Sequence, residues 1–119
     1  MASNLKPCPD SPNCVSSLAA SEEHAVAPLH YEGDRAQARS RLLQAVQALP
    51  RVKIVEARGD YIHVTATSLM FRFVDDVEFE FDDENKLIHV RSASRTGYSD
   101  FGVNRKRVEA IRQRFEALK

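Results

Sequence analysis

The sequence predicts an α+β domain, an antiparallel meander of four to five strands with two helices packed on one face, in the order β-α-β-β-β-β-α. Three observations carry this prediction. Segments of alternating polar and apolar residues follow one another between positions 52 and 95, with turn residues between them. A stripe of apolar residues at helical spacing lies on either side of that block. The chain has 119 residues, 43% apolar and 29% charged, with four Gly and five Pro, which fits one packed domain and excludes a collagen-like, low-complexity or largely disordered chain.

Residues 1–23 hold Pro7, Pro9, Pro12 and five serines and read as an irregular N-terminal arm ahead of a single domain over 24–119. The stretch Met1–Pro7 has no apolar h-region, so no signal peptide is visible and the chain as given reads as cytoplasmic. No run approaches the ~18 apolar residues that membrane insertion of a helix needs. Residues 24–31 form a short extended segment in which Pro28 argues against a central strand. Asp34 caps a helix running to about Leu49, with Ala38, Leu42, Leu43, Val46 and Leu49 on one face, and Pro50 stops it.

Four strands follow. Val52–Ala57 is joined to Tyr61–Ser68 by Arg58-Gly59-Asp60, read as a hairpin turn whose glycine accepts positive φ; this reading is preferred to an integrin-binding Arg-Gly-Asp motif. In Tyr61–Ser68 the residues Ile62, Val64 and Ala66 face one way and Tyr61, His63, Thr65 and Thr67 the other. In Phe71–Phe81 the residues Phe71, Phe73, Val77, Phe79 and Phe81 share one face, opposite Arg72, Asp76, Glu78 and Glu80. Leu87–Arg95 puts Ile88 and Val90 inward, His89 and Arg91 outward. The last helix runs from about Val103 to Leu118 with Val108, Ile111, Phe115 and Leu118 as its stripe, Asp100 or Asn104 as cap and Gly102 at its start.

Seventeen basic and seventeen acidic residues cancel, but they are segregated. Seven carboxylates and no base lie between Asp75 and Asn85, and eight bases against three acids lie between Arg91 and Lys119. Without a net basic excess, a nucleic-acid partner is not expected.

The same segregation locates a polar cluster. With Asp82–Asn85 as a four-residue loop, Asp76 meets Arg91 and Glu78 meets His89; with a two-residue turn, Glu78 meets Arg91 and Glu80 meets His89. Asp75 breaks the alternation, because it lies on the apolar face between Phe73 and Val77, with Ser92 or Ser94 opposite. A carboxylate there needs a partner, for which Arg95 or Arg105 is in reach, unless a β-bulge turns it to solvent. The strand-to-helix connection adds Ser92, Ser94, Arg95, Asp100, Asn104 and Arg105. Arg91, Arg95 and Arg105 have the chemistry to clamp a phosphate or carboxylate. The preferred alternative is that they already pair with Asp75, Asp76 and Glu78 while Asp100 caps the helix.

Cys8 and Cys14 are the only cysteines, and a disulfide between them would close a small loop and pin the arm. They are too few for structural zinc, His24 and His30 match no common zinc spacing, and no metal or cofactor is expected. No G-x-S-x-G signature appears, and His63 and His89 read as sheet-surface residues.

Three groups of residues resemble a known family. Cys8…Ser11-Pro12-Asn13-Cys14-Val15-Ser16-Ser17, Phe71-x-Phe73-x-Asp75-Asp76-Val77-Glu78-Phe79, and Arg91-Ser92-Ala93-Ser94-Arg95 with Asp100-x-Gly102-x-Asn104-Arg105-x-Arg107 stand in the order found in the domain-of-unknown-function family 1499, DUF1499, of bacteria and photosynthetic eukaryotes. The resemblance covers nearly the whole chain and implies no established activity. Many members look exported, tethered or lipid-anchored, so the resemblance also implies periplasmic or envelope association. It further implies that the arm docks on the cluster, with Asn13, Ser16 or Ser17 facing Asp76, Arg91 and Arg95.

Three functions compete. The first is a non-enzymatic module binding a small polar or anionic ligand, or a protein partner, at the cluster. The second is a structural or assembly protein whose cluster only fixes the arm. The third is an acid/base hydrolase with Asp75 or Asp76 as base, which requires a pocket and a carboxyl pushed toward neutrality.

Overall fold

The computed structural model describes residues 3–70 and 72–118. Its elements are β1 (Cys14–Ser16), β2 (Leu29–His30), α1 (Arg35–Gln47), β3 (Val52–Arg58), β4 (Tyr61–Thr67), β5 (Val74–Asp82), β6 (Leu87–Ser94) and α2 (Val103–Ala117). The six strands form one antiparallel sheet in the order β1-β6-β5-β4-β3, with β2 alongside β1 on the same edge of β6. The α+β meander with both helices on one face is as the sequence predicts; β2 falls in the extended segment expected over 24–31, and β1, in the arm, is the one additional strand.

Both short strands lie on one edge of β6. Cys14–Ser16 lies in the arm, and it is a strand because β6 offers an open edge: Cys14 pairs with Ala93, Val15 with Ser92 and Ser16 with Arg91. Leu29 and His30 pair with Ile88 and Leu87 further along that edge, consistent with the non-central position that Pro28 demands. A parallel bridge between Ser16 and Ala25 joins the two segments.

The helices start as their sequences dictate. The Asp34 carboxylate accepts from the Gln37 amide at 2.8 Å, closing the first turn of α1. Gly102 stands at the N-cap of α2 with φ 80°, a conformation that suits glycine, and has no side chain to cap with. Asp100 supplies the acceptor instead, taking the Gly102 and Asn104 amides at 2.9 Å each.

The core lies between the helices and one sheet face. Ala38, Leu42 and Val46 of α1 and Val108, Ile111 and Phe115 of α2 pack on Ile62, Val64, Val77, Phe79, Ile88 and Val90. Phe73, expected in this core, is 56% exposed. The Ser68 amide donates to the Phe73 carbonyl and the Phe73 amide to Ser68 Oγ, which closes a loop before β5 begins, and Arg72 in that loop has φ 57°. The alternation therefore starts one residue too late to bury Phe73. Phe71, placed on the same face by the sequence, lies outside the described residues. Leu118, the last residue of the expected α2 stripe, is partly exposed past the end of the helix.

The β3–β4 hairpin turns at Gly59-Asp60 as expected, with Arg58 opposite Tyr61. The glycines at positive φ, however, are Gly33, Gly97 and Gly102, not Gly59. Between β5 and β6 the register pairs Glu78 with Arg91 and Glu80 with His89. Asp82 still pairs with Leu87, so the loop is shifted by one residue relative to the Asp82–Asn85 reading. Asp82 closes it by accepting from the Asn85 amide and side chain, and Lys86 completes it at φ 56°.

Candidate functional site

The residues that the sequence groups into one cluster fall on two faces of the sheet, because neighbours along a strand point oppositely. Asp75, Ser92 and Ser94 point to the helices, and Asn13, next to β1, joins them there; Asp76, Glu78, Arg91 and Ser16 belong to the other face.

On the helix face the ladder is regular through Asp75, which pairs with Ser94, so no bulge turns it outward. Asp75 is buried, and its partner is Arg107, with Nη1 2.8 Å from Oδ2. Arg95 and Arg105, the expected partners, lie elsewhere. Helical geometry gives the reason: Asn104, Arg107, Val108 and Ile111 share the sheet-facing side of α2, whereas Arg105 is turned aside and donates to the carbonyls of Glu22, Glu23 and Ala25.

Asn104 is the hub of this face, with no exposed surface. Its Nδ2 donates to Asp100 Oδ2 at 2.8 Å, Ser94 Oγ at 3.0 Å and the Asn13 carbonyl at 3.2 Å. Its Oδ1 accepts from Ser92 Oγ at 2.6 Å and Arg107 Nη1 at 2.9 Å. Asn13 extends the network by donating to the Gly97 carbonyl at 2.8 Å and accepting from Ser11 Oγ at 2.7 Å. One amide thus joins the arm, β6, the β6–α2 connection and α2, and through Arg107 it reaches β5. Asp100 is pushed up by burial, but the Asn104 and Gly102 amides outweigh this and hold it below the usual carboxyl range.

On the outer face Asp76 sits between two bases. Arg95 donates to it through Nε and Nη2 at 2.8 and 2.9 Å, and His63 Nε2 through a 2.7 Å bond. The Arg95 fork first, and His63 with it, hold the Asp76 carboxyl below its usual range against the opposing effect of burial. Glu78 accepts from the Tyr61 hydroxyl, and Arg91 Nη1 lies 3.6 Å from its other oxygen. Burial first, and the bond to Glu78 second, push Tyr61 well above the ordinary phenol range.

The arm crosses this outer face. Ser3 Oγ and the Asn4 amide donate to Glu80 at 2.6 and 2.7 Å, Leu5 is buried, and Arg91 Nη2 lies 3.5 Å from the Pro7 carbonyl. Cys8 and Cys14 form a disulfide with Cα atoms 5.6 Å apart. Of the expected contacts, Ser16 does pair with Arg91, but Asn13 faces away from Asp76 and Arg95. Ser17 meets His89 at 3.0 Å and accepts from the Val90 amide at 2.9 Å. Sequence reasoning missed His63, Tyr61 and Arg107 as members. Cross-strand register, which sets His63 opposite Glu78 and diagonal to Asp76, and helical spacing from Asn104 are the signals that find His63 and Arg107.

A cleft of about 360 Å³ opens between the arm and residues 18–24, lined among others by Lys6, Asp10, Ser16, Ser21 and His24. His24 is buried, and its Nδ1 donates to the Cys14 carbonyl at 2.9 Å. Among the described residues no group of three or more His, Cys, Asp or Glu could hold a metal ion, and no helix is long and apolar enough to cross a membrane.

The family model described as a protein of unknown function, DUF1499, matches residues 4–115, which takes in the arm, both faces of the cluster and nearly all of α2. The chain belongs to the DUF1499 family. The match includes the arm, β6, the β6–α2 connection and nearly all of α2, the segments that Asn104 joins, so this network lies within the DUF1499 region itself. No curated protein matches the chain.

Proposed function

We propose that this chain is a non-enzymatic module that acts by binding, and that its Asp/Arg/Ser/Asn cluster holds the N-terminal arm and α2 on the sheet instead of receiving a ligand. The observation that carries this reading is Asn104. Its amide is engaged on both its nitrogen and its oxygen, by partners from the arm, β6, the following connection and α2. A buried polar network satisfied in this way rigidifies and specifies one arrangement. A hydrolase is the less favoured reading. A general base needs a carboxyl poised toward neutrality, whereas Asp76 is held low by Arg95 and His63 and Asp75 is engaged by Arg107.

One observation favours a second reading, a site for a small anion. Arg91 Nε is buried without a hydrogen-bond partner, under the arm. A thermal-shift series with phosphate and citrate, on the wild type and on Arg91→Gln, separates the two. The first reading, in which the cluster receives no ligand, expects no anion-dependent rise beyond a general salt effect. A rise that follows a saturation curve and vanishes in Arg91→Gln would assign the ligand to this arginine. The Cys8–Cys14 bond supports an oxidising compartment, such as the periplasm or envelope, over the cytoplasm.

A further inference from the structure

The loops of the sheet gather at the two ends of its strands. At one end lie the β3–β4 turn and the β5–β6 loop, with Asp60, Asp82, Asp83 and Glu84. At the other end lie the β4–β5 loop, the β6–α2 connection and the start of β3. Leu69 of the β4–β5 loop, Val103 and Lys106 at the start of α2, and Arg51 ahead of β3 border one cleft.

This second end is unusual in two respects. Its loop tips hold large apolar side chains in water: Met70 is 82% exposed, Phe101 89% and Tyr98 70%, with Leu69 and Phe73 also exposed. Exposed apolar groups scattered singly need no explanation, but a group of them on neighbouring loops marks an interaction surface. Arg72 and Phe101 also have φ of 57° and 55°, a region that side chains of this size rarely adopt, although Phe101 gains no burial from it. The second respect is charge. Arg51, Arg72 and Lys106 make no ion pair among the described residues. Asp100, the carboxylate of the β6–α2 connection, is occupied by the Gly102 and Asn104 amides.

We propose that this end of the sheet docks on the surface of an anionic lipid bilayer, laying Leu69, Met70, Tyr98 and Phe101 into the interfacial zone while Arg51, Arg72 and Lys106 face the headgroups. Projecting apolar and aromatic tips beside cations that make no ion pair match an interface that is apolar below and anionic above. The carboxylates of the two turns stand at the far end, away from the bilayer. Docking of this kind needs no segment to cross the membrane, and it is independent of whether the Asn104 network is a lock.

Co-sedimentation with vesicles tests it, using phosphatidylcholine alone and equimolar phosphatidylcholine and phosphatidylglycerol. The full chain is expected to sediment with the mixed vesicles, hardly with phosphatidylcholine, and less as salt is raised. Lys106→Gln should weaken binding about fivefold, the effect of one base near an anionic surface. Met70→Ser/Phe101→Ser should abolish most of it while leaving the melting temperature unchanged, since both side chains are exposed. Equal sedimentation of wild type and the double variant overturns the proposal, as does failure of the wild type to sediment with either vesicle. A dimer in gel filtration that the double variant dissolves, without vesicle binding, would assign the patch to a contact between copies and also overturn it.

Discussion

Asp75 and Asp76 are neighbours with opposite environments, and the two arginines that serve them differ accordingly. Asp75 and Arg107 are both largely buried, with side chains 10% and 14% exposed, whereas Arg95 is 51% exposed on the outer face. Arg107→Ala leaves a carboxylate and the Asn104 oxygen under-satisfied in the core, and should cost about 3–5 kcal/mol. Arg95→Ala loses only a solvent-screened pair and should cost much less. Urea melts of the two variants check this, and equal losses would contradict the assigned faces. The Asp76 environment also has a pH consequence. Unfolded, its carboxyl titrates near 3.8, and in the folded protein it titrates lower. Its stabilisation is therefore complete above the unfolded value and is lost as pH falls through the folded one. Asp76→Asn should flatten the acid limb of a plot of melting temperature against pH, below about pH 4. An unchanged limb would show that Arg95 and His63 do not hold this carboxyl.

At the scale of elements, β1 is the informative one. Three residues with no strand periodicity of their own form a strand because β6 has an unpaired edge and Val15 has a place in the core. The disulfide ties residue 8 to the first residue of that strand, so it restrains the segment crossing the outer face, while the Asn13–Asn104 bond restrains the segment entering β1. Reduction should thus release residues 3–10 and leave β1 paired. Limited proteolysis with and without reductant should show cleavage confined to the arm, with little change in the thermal midpoint. A midpoint that collapses on reduction would make the disulfide a support of the whole sheet.

Across the whole molecule, the arm covers one edge and part of one face. A chain truncated before Leu18 exposes β6 over Arg91–Ala93 and removes Asn13 and Val15 from their partners. Unpaired strand edges template association. Such a truncation should lower stability and elute in size-exclusion chromatography as oligomers; a monomer melting like the full chain would show that the arm is dispensable.

The sequence by itself determined what depends on local period and on pairing of near neighbours. It places α1 by the Asp34 cap and the Ala38–Val46 stripe and β4 by strict alternation; it gives Asp75 the parity of Val77 and Phe79, and the regular ladder to Ser94 removes the bulge that would have turned it out. Tertiary structure decided what depends on long-range approach or on one irregular residue. The choice of Arg107 over Arg95 or Arg105 required the angle at which α2 lies on the sheet. The strand at Cys14–Ser16 required an edge of β6, more than seventy residues away, to pair with. The exposure of Phe73 required the tight loop through Arg72, whose positive φ no alternation pattern encodes. The division of one apparent cluster into a helix-side network and an outer-face pair follows from the pleat, which sends Asp75 and Asp76 to opposite sides of the same strand.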